Sequence, residues 1–248
     1  MLGLYHTQLT KKINLAGDVY LLEFSLIKPK EINFLAGQYL ILLVPSDDKN
    51  ISRLYSIASP PWQKNSFELV IELVEGGVAS NYLKSLKLGD KVFFKGPAGI
   101  FTLRKIERNK VFFATGTGIA PIRSMIMEGQ RLLFDSKIRS QRFLFWGLPK
   151  KQDVYFLKEF KKITQEDKDF LFKICLSREE GLDFYDNHFF SLGHVDYVFD
   201  KELYPKIKEK ISDFDFYLCG GRMVVESIRQ FLLKKGISQS NIVFEKFF

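Results

Sequence analysis

The sequence predicts two successive domains of different class: a β domain built as an antiparallel barrel or sandwich, then a doubly wound α/β domain on a parallel sheet. Two observations predict this. Up to about Leu103, short runs rich in β-branched, aromatic and apolar residues alternate with turn residues. Beyond Arg104, continuous apolar runs alternate with helical patterns. The 248 residues suffice for two modest domains, and a composition 46% hydrophobic and 27% charged supports a substantial core rather than disorder. A polar connector, Arg104 to Asn109, divides the chain into residues 1–104 and 105–248.

In the first part, Val19–Phe24, Tyr39–Val44 and Phe67–Val74 read as strands. Turns fall at Ala36-Gly37, Ser46-Asp47-Asp48, Pro60-Pro61, Gly76-Gly77, Gly89-Asp90 and Gly96-Pro97. One short helix is expected from Ser80 to Leu86. In the second part, Val111–Ala114 is a strand buried on both faces, and Pro121 opens a helix with Ile122, Met125, Ile126, Leu132 and Leu133 on one side. Phe143–Trp146, Phe170–Leu176, Phe216–Cys219 and Ile242–Phe244 read as further strands. Asp153–Ile163 reads as a helix. Another helix begins near Met223 and stops at Gly236, suited to the left-handed position after a helix end.

Composition excludes several functions. Two cysteines, Cys175 and Cys219, cannot ligate an iron–sulfur cluster unaided, and three histidines form no metal motif. No apolar run is long enough to span a bilayer, and Met1–Lys12 is no signal peptide. A cytoplasmic protein without a membrane partner is expected. The net charge of +8 favours anionic partners, but basic residues are interleaved with acids, so no nucleic acid is expected.

Thr115-Gly116-Thr117-Gly118-Ile119-Ala120-Pro121 lies where a buried strand turns into a helix. Glycines admit a pyrophosphate to the backbone, the helix start offers free N–H groups, and Pro121 lacks only a donor the first turn does not need. No acid follows at the end of the next strand, Trp146-Gly147-Leu148-Pro149. A later strand ends Ser177-Arg178, a hydroxyl and guanidinium suited to a 2′-phosphate. In the first part, Arg53-Leu54-Tyr55-Ser56 pairs a phosphate-binding Arg with a ring-stacking Tyr and a hydrogen-bonding Ser. Gly76-Gly77-Val78-Ala79-Ser80 opens the short helix and forms a second anion-binding arrangement.

Arg53–Ser56, Gly77–Ser80, Gly116–Pro121 and Cys219-Gly220 occur in the order of, and together resemble, the ferredoxin–NADP⁺ reductase superfamily. Gly37-Gln38-Tyr39, Gly89-Asp90 and Gly96-Pro97-Ala98-Gly99 support the resemblance, which covers essentially the whole chain. The length and the ending Glu245-Lys246-Phe247-Phe248 resemble the short bacterial ferredoxin/flavodoxin–NADP⁺ reductases.

The resemblance implies a six-stranded antiparallel barrel binding FAD. Arg53 would hold the diphosphate, Leu54 would line the site, Tyr55 would pack on the isoalloxazine, and Ser56 would lie near flavin N5. Gly77, Val78, Ala79 and Ser80 would contact the diphosphate. Thr115, Gly116, Thr117, Gly118, Ile119 and Pro121, with Gly220, would cradle NADP(H), and Ser177 and Arg178 would read its 2′-phosphate. Cys219 and Glu245 would join Ser56 at the hydride-transfer site. Phe247 or Phe248 would cover the flavin.

A monomer exchanging electrons with an acidic ferredoxin or flavodoxin is implied. A free-flavin reductase and a non-catalytic electron-transfer subunit are the alternatives. Pro149 and His194 replace basic residues common in the related bacterial enzymes. Lys150, Lys151 or His194 would then compensate, and NAD(H) stays open as the coenzyme.

Overall fold

The computed structural model describes residues 2–45, 51–104, 107–136, 138–183 and 188–247. The expected turn at Ser46-Asp47-Asp48, part of the expected connector, and Phe248 lie outside them. The chain divides into two compact units, Met1–Leu103 with Ala120–Glu128, and Arg104–Ile119 with Gly129–Phe248.

The first unit contains β1 (Gly3–Ala16), β2 (Val19–Lys28), β3 (Tyr39–Val44), β4 (Ile51–Ser56), β5 (Ser66–Glu72), helix α1 (Val78–Ser85) and β6 (Lys91–Ala98). The sheet order is β4-β3-β6-β1-β2-β5, and every neighbouring pair is antiparallel. A bridge from Ile57 to Leu69 joins its two ends and closes the six strands into a barrel. Inward positions alternate, as β6 shows: Val92 and Phe94 are buried, whereas Lys91, Phe93 and Lys95 face outward. Phe24, Phe67 and Phe94 meet at ring-centroid separations of 5.0 to 5.6 Å in the barrel core. This packing places part of the unit's aromatic content in its core.

Helix α1 begins two residues earlier than expected, at Val78, because Gly77 serves as its N-cap. Ala79 and Leu83 anchor it in the barrel core. Its last carbonyls are closed by a distant side chain: Lys12 Nζ donates to the oxygens of Leu83, Lys84 and Leu86 at 2.7 to 3.0 Å. A cation at a helix C-terminus meets the negative end of the dipole. Arg123 and Ser124 also bond within this unit. Arg123 Nη1 donates to Ala58 O and Glu68 Oε2, and Ser124 Oγ donates to Ser59 O.

The second unit carries β7 (Asn109–Thr115), β8 (Arg142–Leu148), β9 (Phe170–Leu176), β10 (Phe190–Leu192), β11 (Phe214–Gly221) and β12 (Ile242–Phe247). The order is β10-β9-β8-β7-β11-β12, all parallel. The helices are α2 (Ile119–Ser136), whose Ala120–Glu128 portion groups with the first unit, α3 (Leu157–Glu166), α4 (Val195–Glu202), α5 (Tyr204–Ile207) and α6 (Arg222–Lys234). The strand order runs outward from β7 to β10 and then resumes at β11 on the other side of β7. The crevice at the C-terminal ends of β7 and β11 is therefore the topological switch point.

The expected helix Asp153–Ile163 is corrected. The chain makes a 3₁₀ turn at Lys151–Asp153, passes through a left-handed Phe156 (φ 58°), and only then enters α3. Strand β12 runs on to Phe247, past the expected Phe244. Gly236, at φ +82°, follows α6 as expected.

Candidate functional site

In the first unit the predicted residues lie on β4 and at the start of α1. Strand β4 pairs along its length with β3, and Ile57 just beyond it bridges to Leu69 of β5. Arg53 is exposed, and its Nη1 donates only to Ser52 O, at 2.9 Å, among the described residues. Leu54 is exposed beside it, Tyr55 is half-buried against the barrel core, and Ser56 is buried. Burial raises the Tyr55 phenol above its ordinary range, with Arg53 pulling the other way.

At α1 the Ser80 hydroxyl has a structural task. It accepts from the Val74 N–H at 2.9 Å and pins the Val74–Gly77 turn, with Gly77 N–H bonded to Val74 O. The N–H groups of Val78, Ala79 and Ser80 form the first helical turn, where no intrahelical acceptor exists. The exposed Arg53 guanidinium and the free N–H groups at the start of α1 are donors of the kind a diphosphate takes.

In the second unit, Thr115 ends β7 and Gly116–Gly118 forms a 3₁₀ turn into α2. Gly116 sits at φ +52° with open space where a Cβ would stand. Gly118 is pressed onto β11: a Cβ there would lie 2.2 Å from Cys219 O and 2.8 Å from Gly220 N. Thr115 Oγ1 occupies the place of a Gly220 Cβ, and Gly221 faces open space. The turn is therefore flush with the main chain of β11 and leaves room above its glycines. Such a cradle fits a pyrophosphate.

Cys219 stands in register with Glu245 on β12 and Ala114 on β7. It is buried, and burial, reinforced by Glu245, pushes its thiol well above the usual range. The residue is a neutral thiol at physiological pH. Phe247 ends β12 opposite Gly221 and is half-buried. The preceding Lys246 pairs with Glu226 of α6 at 2.7 Å and holds that exposed carboxyl down at about 2.

Ser177 and Arg178 follow β9 and are both exposed. Their N–H groups bond to Leu148 O and Pro149 O, so both stand beside the end of β8. Lys151 has acidic neighbours: its N–H donates to Glu179 Oε2, and its Nζ lies 3.7 Å from Asp183 Oδ2. His194 is exposed at the N-cap of α4. Among the described residues no metal-binding cluster of His, Cys, Asp or Glu occurs, and no helix is long and apolar enough to cross a membrane.

Sequence reasoning missed the support beneath the second cradle. Trp146 is fully buried, and its Nε1 donates to Gly116 O at 3.0 Å, while the Tyr155 hydroxyl reaches the same oxygen at 3.2 Å. A signal existed, since a Trp in a buried strand needs a partner for its N–H.

Two family models match. An oxidoreductase FAD-binding domain covers residues 6–103, and an oxidoreductase NAD-binding domain covers residues 112–230. One component of the Na(+)-translocating NADH-quinone reductase of Pasteurella multocida is 29% identical over 209 residues, 81% of this chain and 50% of that protein. The toluate 1,2-dioxygenase electron transfer component of Pseudomonas putida is 30% identical over 220 residues, 88% of this chain and 60% of that protein. The chain thus spans about half to three-fifths of the length of these relatives. A crystal structure of a ferredoxin NADP+ reductase from Neisseria gonorrhoeae with bound FAD and NADP has the same fold. Its TM-score is 0.82 at 18% identity, with 99% of each chain covered.

Proposed function

We propose that this chain, which belongs to the ferredoxin–NADP⁺ reductase superfamily, exchanges electrons between a nicotinamide dinucleotide and FAD and passes them singly to a carrier outside these 248 residues. The observation that carries this reading is the glycine turn at the switch point, seated against Cys219-Gly220 with open space over Gly116 and Gly221. When bound, the two cofactors supply reversible hydride exchange between nicotinamide C4 and flavin N5.

The chain's own residues bind, orient and shield. Arg53 and the first turn of α1 hold the FAD diphosphate, assisted by Gly77, Val78, Ala79 and Ser80. Leu54 gives apolar contact, Tyr55 packs on the isoalloxazine, and the Ser56 hydroxyl serves N5. Thr115–Ile119, Pro121 and Gly220 hold the dinucleotide. Cys219 offers an uncharged thiol and Glu245 a carboxyl beside the reacting end of nicotinamide, and Phe247 with Phe248 shields the flavin. Water exclusion and ring alignment are the protein's main contributions to rate. The domain boundary is placed at Arg104.

The carrier is an acidic ferredoxin or flavodoxin, attracted by the net charge of +8. A specific observation favours a second reading of the coenzyme. Glu179 and Asp183 surround Lys151 next to Ser177-Arg178, and carboxylates there oppose a 2′-phosphate. That reading takes NADH and a redox partner of another kind.

The test is steady-state kinetics of FAD-loaded protein with NADPH and NADH, using ferredoxin, flavodoxin and an artificial dye as acceptors. The proposal expects protein that stays yellow on dialysis, NAD(P)H-dependent dye reduction, and a higher kcat/KM for NADPH. Loss of colour on dialysis would indicate a free-flavin reductase, and absence of dye reduction a non-catalytic role. A preference for NADH selects the second coenzyme reading.

A further inference from the structure

We infer that Trp146 and Tyr155 are positioning residues for the dinucleotide, acting through the Gly116 carbonyl; this rests on reading the Thr115–Gly118 turn as its cradle. That oxygen accepts from Trp146 Nε1 at 3.0 Å, from the Tyr155 hydroxyl at 3.2 Å, and from the Ile119 N–H that closes the 3₁₀ turn. Three donors converge on one acceptor with two lone pairs. So dense a set around a single loop carbonyl fixes its direction.

The direction matters because the peptide is planar and trans. Its carbonyl and N–H point opposite ways, so a Gly116 carbonyl held toward Trp146 and Tyr155 turns the Thr117 N–H away from them. Thr117 is in the first turn, where no intrahelical acceptor exists, so this N–H is offered to an anion. Gly116 itself cannot enforce the orientation. It sits at φ +52° with nothing near a Cβ, and glycine crosses between backbone regions at little cost. A flipped peptide would present the carbonyl oxygen to the pyrophosphate, exchanging attraction for repulsion. The indole and the phenol hold the peptide against that flip.

The placement of Tyr155 is itself built into the chain. Residues 153–156 depart from the helix that the sequence suggests, with Phe156 left-handed, and Tyr155 then packs edge-on against Trp146 at 4.7 Å. The ring contact survives removal of the hydroxyl, so Tyr155→Phe isolates the hydrogen bond.

The experiment measures binding of NADPH, NADH, and the half-ligands adenosine 2′,5′-bisphosphate and 5′-AMP, which lack a pyrophosphate, to FAD-loaded wild type and Tyr155→Phe. Thermal midpoint and kcat for dye reduction are recorded alongside. The expected result is a roughly 5- to 10-fold rise in Kd and KM for the preferred dinucleotide, from loss of about one hydrogen bond. Half-ligand affinity and kcat should stay within twofold. Trp146→Phe should act in the same direction, with a lower thermal midpoint from the lost volume.

An unchanged dinucleotide Kd in Tyr155→Phe overturns the inference. Equal weakening of half-ligands and dinucleotides also overturns it, since that marks general loosening of the unit. Wild type that binds no dinucleotide overturns the functional reading beneath it, and the inference with it, before any variant is compared.

Discussion

Arg53 and Leu54 stand exposed on β4, whereas Gly118 is sealed against the main chain of Cys219 and Gly220, and Gly220 against the Thr115 hydroxyl. The first cradle combines the exposed side chains of Arg53 and Leu54 with the free N–H groups at the start of α1. The second is assembled from backbone, held by close approach between β7, β11 and the turn, and backed by Trp146 and Tyr155. The difference teaches where binding and stability separate. Side chains free of structural duty can be changed at the expense of ligand affinity alone. Backbone pressed against backbone cannot be altered without disturbing the unit that carries it.

The largest break in this contrast comes from Gly118→Ala. Its Cβ would stand 2.2 Å from Cys219 O, and main chain must shift to admit it. A loss of about 3 kcal/mol or more is expected, read as a lowered thermal midpoint together with lost dinucleotide binding. Gly221→Ala, facing open space, is the matched control and should stay near wild type in stability.

Arg53→Ala should give the opposite profile. Removing charge-assisted hydrogen bonds to a diphosphate raises the FAD dissociation constant roughly 10- to 100-fold. The apoprotein's thermal midpoint should barely move, because the side chain is exposed. A large fall in apoprotein stability would erase the contrast.

Arg178→Ala sharpens the comparison within the second unit, where it is an exposed side chain on a backbone-built cradle. KM for NADPH should rise about 10-fold while KM for NADH stays put. Equal effects on both coenzymes would remove Arg178 from 2′-phosphate recognition.

The last test concerns pH. Lys110 lies buried in the second unit beside Asp215, and desolvation lowers it from 10.5 to about 8. Between about pH 8 and 10.5 the unfolded chain binds this proton and the folded chain does not, so this group's contribution makes stability rise with pH in that window. Tyr217 acts the other way: burial raises it from 10.0 to about 12, so its contribution falls as pH climbs between those values. Denaturant titrations between pH 8 and 10 should show stability changing with a less positive slope in Lys110→Met than in wild type. Parallel slopes would contradict the assignment.

The motifs were legible because their chemistry is local. A glycine turn between buried strand and helix announces itself in consecutive residues, as Thr115–Pro121 does. Strands with continuous apolar runs, such as Val111–Ala114, were equally plain. Strand β1 was not read, because Lys11, Lys12 and Asn14 break its alternation and its pairing with β2 carries register shifts. The helix expected at Asp153–Ile163 failed for a tertiary reason. Tyr155 is drawn to Gly116, and the backbone turns left-handed at Phe156 before α3 begins. Lys12 could not be matched to α1 from the sequence either, since 71 residues separate it from Leu83.

That last contact bears on the order in which the molecule matures. Eight residues make too short a helix to persist alone in water. Helix α1 is completed by Lys12, whose approach requires β1 to be in place. Closing so long a loop comes late on a folding pathway governed by contact order. The helix that carries the anion cradle at its start thus waits on the placement of β1. A nascent chain would have no flavin site to offer until β1 had docked on α1, and FAD would act as a lock on the finished unit, slowing its unfolding without seeding its formation.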